Sequence, residues 1–109
     1  MRDGEALIAR YQAGENLSVA QLRTAVRYSL EEFAQRYPGH AVEIRIPWIG
    51  AVQAIEGVNH RRGTPPNVVE MDGETWLALV TGAEPAPSPE KISYSGPRAD
   101  LRAYLPLWK

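Results

Sequence analysis

Gly57-Val58-Asn59-His60-Arg61-Arg62-Gly63-Thr64-Pro65-Pro66-Asn67-Val68-Val69-Glu70 is the stretch on which the fold turns. It leaves one apolar strand, residues 51–56, and ends in another, 67–71, through a basic loop punctuated by glycine and proline. Two adjacent prolines remove backbone donors and restrict the unfolded chain, so the loop is stiff and its path is set locally. No residue pattern in it is a catalytic signature. It reads as one polar loop set against an apolar layer.

Upstream, Val42-Glu43-Ile44-Arg45-Ile46 alternates strictly, which predicts a strand with Val42, Ile44 and Ile46 turned inward. Pro47-Trp48-Ile49-Gly50 is the expected turn into the next strand, giving an antiparallel hairpin. Before it lies the strongest helix signal of the chain. Ser18 and Gln21 make a capping box, Leu17 and Leu22 a hydrophobic staple. Val19, Leu22, Val26, Leu30, Phe33 and Tyr37 then recur at helical steps until Pro38-Gly39. Arg27 with Glu31 and Glu32 with Arg36 are spaced to pair across one turn. A shorter helix is expected over 3–13, with Leu7, Ile8 and Tyr11 on one face and Gly14 at its end.

Downstream, Asp72 can cap a helix from Gly73 to Thr81, closed by Gly82. Glu84-Pro85-Ala86-Pro87-Ser88-Pro89-Glu90 has proline at alternate positions and predicts an extended spacer. A further strand is expected at Ile92 and Tyr94. Gly96-Pro97 then begins a last predicted helix whose stripe is Leu101, Tyr104, Leu105 and Trp108, with Pro106 kinking or ending it.

Length and composition bound the rest. A chain of 109 residues makes one domain, here 1–109 with 1–17 as a helical extension, and can bury roughly 65% of its unfolded surface. Net charge of −1 argues against a dedicated nucleic-acid binder. No apolar run approaches membrane-spanning length, so stable membrane insertion is not expected. A polar start and the absence of Cys read as a cytoplasmic chain with neither disulfides nor a thiol nucleophile. His40 and His60 lack metal-pair spacing, and no Gly-x-Ser-x-Gly elbow occurs. No cofactor is expected and no catalytic residue is assigned. Glu56 with His60 is the one conceivable acid–base couple.

Several pieces together resemble a known family. Trp76-Leu77-Ala78-Leu79-Val80-Thr81-Gly82, then Ser95-Gly96-Pro97-Arg98-Ala99-Asp100-Leu101 and Tyr104-Leu105-Pro106-Leu107, resemble the sterol carrier protein superfamily. Gly50-Ala51-Val52-Gln53, Glu56-Gly57, His60 and the run Arg62 to Glu70 are similar to its bacterial branch, and the likeness spans roughly residues 20 to 108. The resemblance implies an α+β fold: a twisted, mostly antiparallel sheet of about five strands with helices over one face. It also implies non-catalytic binding of a lipid or other apolar small molecule between sheet and helices, with the terminal helix as a lid. Relatives carry a longer amphipathic segment where this chain has the prolines of 83–90. That exchange favours an open groove over a closed tunnel.

Under this reading the apolar wall is Trp48, Ile55, Val69, Trp76, Leu79, Leu101, Tyr104 and Leu105. A polar head group would meet His60, Arg61, Arg62, Thr64, Asn67 and Arg98, the arginines offering bidentate donors to an anion. The plain reading stands beside each. Tryptophans are more often core than ligand cage, and a basic loop more often pairs with nearby acids such as Glu56 or Glu70. Two further functions stay open. The family resemblance also extends to domains that accompany mycothiol-dependent, metal-bearing isomerases, so the chain could serve such a partner in trans. It could instead be a protein-interaction module or homodimer using the last helix and Trp108.

Overall fold

The structure, a computed structural model, describes residues 2–57, 67–96 and 100–108. Its long helix α2 (Val19–Arg36) starts where the capping box puts it: Ser18 Oγ accepts from the Gln21 amide at 3.1 Å, and Gln21 Oε1 accepts from the Ser18 amide at 2.9 Å. Ala25, Val26, Tyr28, Ser29, Leu30 and Phe33 are buried. Val19 departs from the expected stripe and is 68% exposed. It lies one turn out from Leu22, itself only half-buried, so the stripe emerges from the core at that end. Neither expected ion pair forms. Arg27 Nε donates to the Ile49 carbonyl and Arg36 Nη1 to the Leu107 carbonyl, each at 3.3 Å. A charged donor on a carbonyl outweighs an exposed ion pair worth a few tenths of a kcal/mol. Helix α1 (Arg2–Gln12) packs Leu7 and Ile8 into the same core.

Strands β1 (Val42–Ile46) and β2 (Gly50–Ala54) form the expected hairpin. Its turn places Trp48 at φ 71°, with the Ile49 amide on the Ile46 carbonyl at 3.0 Å. Pro then positive φ is the type II pattern, normally given to Gly at the second place. The chain leaves β2 through Ile55, also at positive φ (70°). A β-branched residue there costs about 1–2 kcal/mol. The cost is offset by burial of the Ile55 side chain and two backbone bonds, its amide to Tyr37 O and its carbonyl from the Ala41 amide. Gly39 admits this crossing, because a Cβ there would collide with the Ile55 carbonyl.

Strand β3 (Asn67–Glu70) does not extend the hairpin. It pairs parallel with β1, and β4 (Ser93–Ser95) adds antiparallel on its far side, giving the order β2-β1-β3-β4. The sheet is therefore mixed and four-stranded among the described residues, not mostly antiparallel with about five. The near-continuous apolar Val68-Val69 suits a strand paired on both sides, while the weaker β2 is left as an edge. Registers put Val42, Ile44, Ile46, Val52, Ala54, Val69 and Tyr94 on one face. Glu43, Arg45, Gln53, Glu70 and Ser93 occupy the other, which faces solvent. The described helices lie on the first face, as the α+β expectation requires.

Helix α3 (Gly73–Thr81) begins at Asp72, whose carboxylate accepts from the Thr75 amide at 2.8 Å, and ends at Gly82 in the left-handed region (φ 66°). The last predicted helix is absent from the described residues. Only a 3-10 turn, Arg102–Tyr104, forms, and Leu105 is extended. The residue before a proline is pushed away from helical geometry, so Pro106 acts one residue earlier than its own position. Beyond that turn the chain becomes a strap: the Leu107 and Trp108 amides both donate to Val80 O, at 2.8 and 2.9 Å.

Candidate functional site

Among the described residues the apolar layer does not close between β3, α3, the proline segment and this strap. A trough of about 200 Å³ is walled by Val69 and Met71 from β3 and its end, Leu79 from α3, and Leu101, Leu105 and Pro106 from the strap. It continues outward into a shallower recess of about 510 Å³ bounded by Pro87, Pro89, Tyr94, Gly96, Asp100 and Arg102. Leu79, Ala86, Pro87, Tyr94 and Arg102 border both, so the two adjoin. Pro87 and Pro89 form part of the outer recess's rim.

The chemistry of the lining is mostly aliphatic. At the outer end Arg102 grips Asp100, Nη2 to Oδ2 at 2.6 Å and Nε to Oδ2 at 2.9 Å. Those hydrogen bonds hold the Asp100 carboxyl below its ordinary range and push the Arg102 guanidinium up. Both side chains are largely exposed, so the pair marks the mouth more than it stabilises the fold. Among the described residues no group of His, Asp or Glu is arranged to hold a metal ion.

Four of the eight expected wall residues, Val69, Leu79, Leu101 and Leu105, line the trough. The other four sit elsewhere. Trp76 is sealed in the core, its indole N–H donating to Ser29 Oγ at 2.8 Å. Ile55 is buried at the crossing of the chain. Tyr104 joins an aromatic cluster with Tyr37 and Phe33, at 4.9 and 6.4 Å between ring centroids. Trp48 stands 94% exposed at the hairpin tip, away from the trough. Of the polar set, Asn67 is buried and spends an amide hydrogen on Ala41 O at 2.8 Å. His60, Arg61, Arg62, Thr64 and Arg98 lie outside the described residues. Met71 and Arg102 are additions that residue pattern did not place in the site.

No helix of the described residues is long and apolar enough to cross a membrane. No curated protein matches the chain. Residues 18–107, which hold α2, the sheet, α3 and most of the strap, match the model of a family described as bacterial SCP ortholog. The chain belongs to that sterol carrier protein-like bacterial family.

Proposed function

We propose that this protein is a non-catalytic binder of apolar small molecules, lipids included, held in the trough between β3, α3 and the strap. The observation that carries the reading is aliphatic side chains from three separate elements facing a space that no side chain of the described residues fills. Family membership supports it. Burying a ligand there gains roughly 25 cal/mol per Å² of apolar area before association costs are subtracted. The inner end is smaller than a usual small-molecule pocket of about 300–1,000 Å³ and suits a slender apolar part, with bulkier groups in the outer recess. An acidic head group, where the ligand has one, would engage the basic loop at His60, Arg61, Arg62 and Thr64, or Arg98.

Native mass spectrometry of freshly purified protein, followed by displacement of a fluorescent apolar probe, tests this. Ala78→Trp fills the trough from a half-buried position on α3 and should weaken the probe at least tenfold while the far-ultraviolet spectrum is kept. Equal binding by the filled variant would remove the trough from consideration. Arg61→Glu with Arg62→Glu should weaken acidic ligands and leave neutral ones unchanged.

A further inference from the structure

The hairpin tip presents a second apolar surface that the trough does not explain. Trp48 is 94% exposed and Val19 68%, and they border a surface recess of about 480 Å³ with Leu22, Ile49 and Met71. The indole contributes nothing to the core, and its backbone holds a positive φ that glycine would occupy without strain. A large apolar side chain kept in that position is best accounted for by a contact outside the chain. The rim of the recess carries both signs: Arg23 and Lys91 against Glu70, Asp72 and Glu90.

Knob, recess and charges of both signs lie within one patch. A twofold interface has this requirement, since the same surface must meet itself and each feature must find its complement in the copy. An anionic membrane surface would call for a basic excess, which the rim lacks. We propose that the protein self-associates through this patch, Trp48 of each copy seating in the Val19–Leu22–Ile49–Met71 recess of the other, with Arg23 and Lys91 opposite the copy's Glu70 and Glu90. The contact is small, so the dimer is a weak one, with a dissociation constant of about 10–100 µM. It shares Met71 with the trough but none of the trough's other walls, and its test does not depend on the ligand.

Sedimentation equilibrium of the full chain over about 5 µM to 1 mM reads it out. The average mass should climb from one chain toward two, with a concentration-dependent blue shift of the tryptophan emission. Trp48→Gly should dissociate at least tenfold more readily and melt no lower than the parent at low concentration, because the left-handed turn now holds glycine. Val19→Glu should do the same without loss of helix, since a carboxylate suits the first turn of α2, which carries no acid. A parent chain that stays monomeric to 1 mM overturns the proposal. So does dimerisation unchanged in both variants. A monomer that instead co-sediments with neutral phosphatidylcholine vesicles in a Trp48-dependent way overturns it in favour of a lipid surface.

Discussion

Replacing Ser29 by Ala puts the sharpest question to this structure. Ser29 and Trp76 are both fully buried, and the indole Nε1–H of α3 donates to the serine hydroxyl of α2 at 2.8 Å. That hydroxyl in turn donates to Val26 O at 2.9 Å. Removing it strands the indole N–H in an apolar interior, a loss of about 1–3 kcal/mol. Alanine returns about 0.5 kcal/mol through its better helix propensity. The net is a destabilisation of about 0.5–2.5 kcal/mol, or several degrees in Tm for a domain of this size.

Trp76→Phe gives the contrasting case. It removes the donor and leaves Ser29 satisfied by its own helix, so its cost is mainly the lost ring volume, of the order of 1–2 kcal/mol. In that background Ser29→Ala strands nothing and should be neutral or slightly stabilising. Urea unfolding monitored by far-ultraviolet circular dichroism, applied to the parent, both single variants and the double variant, measures the coupling, expected at about 1–3 kcal/mol. If Ser29→Ala costs the same with Trp or Phe at position 76, the bond is not what joins the two helices. Neither variant should alter probe affinity below its melting range, since Trp76 faces α2 and not the trough.

Three other outcomes are expected. Asp72 titrates below its ordinary value near 3.8, chiefly because the Thr75 amide and hydroxyl donate to it. Its contribution is therefore present above the unfolded value and lost as pH falls through the lower folded one. Tm measured downward from about pH 5 should drop more steeply with Asp72 than with Asp72→Asn, while Asp72→Ala at neutral pH costs about 0.5–1 kcal/mol, solvent exposure keeping it small. Gly4→Ala would drive a Cβ into the Tyr28 ring, displacing a side chain that also packs on Trp108, 5.9 Å away between ring centroids. A loss of about 1–3 kcal/mol should result, read by urea unfolding, with faster hydrogen exchange in α1. Asn67→Ala removes a buried donor from Ala41 O and should cost about 1–3 kcal/mol in the same urea assay, with α2 spectroscopically intact.

The part of the fold legible in the residues is the local part. The Ser18–Gln21 box, the Asp72 cap and the β1–β2 alternation each declare themselves within a few positions, and the structure has all three. The partner of β3 is not legible that way. Period-two alternation says which face Val69 shows but not whether its neighbour is β1 or β2. The last helix misleads because Leu101, Tyr104, Leu105 and Trp108 keep helical spacing while Pro106 forbids the conformation that spacing implies. The site divides in the same way. Apolar pattern marks Trp76 and Leu79 equally as inward, yet only packing decides that one is sealed against Ser29 and the other faces open space.

That division comes from the lengths of the covering elements. At 1.5 Å per residue α2 runs about 27 Å and α3 about 13 Å. The longer helix packs on the β1–β2 side, where Val26, Leu30, Phe33, Ile44 and Trp76 leave no gap. The shorter one, together with a strap containing only a 3-10 turn, is left to cover β3 and β4. Widening the trough therefore requires no movement of α2. It requires the strap to lift, and the strap is held by two amides on Val80 O, by Arg36 on Leu107 O and by the packing of Leu101, Tyr104, Leu107 and Trp108 against the core. Of these, the Arg36 bond is the one outside the core. Arg36→Ala should therefore ease probe entry while the core keeps most of its strength, whereas Ser29→Ala should weaken the core and leave probe affinity unchanged.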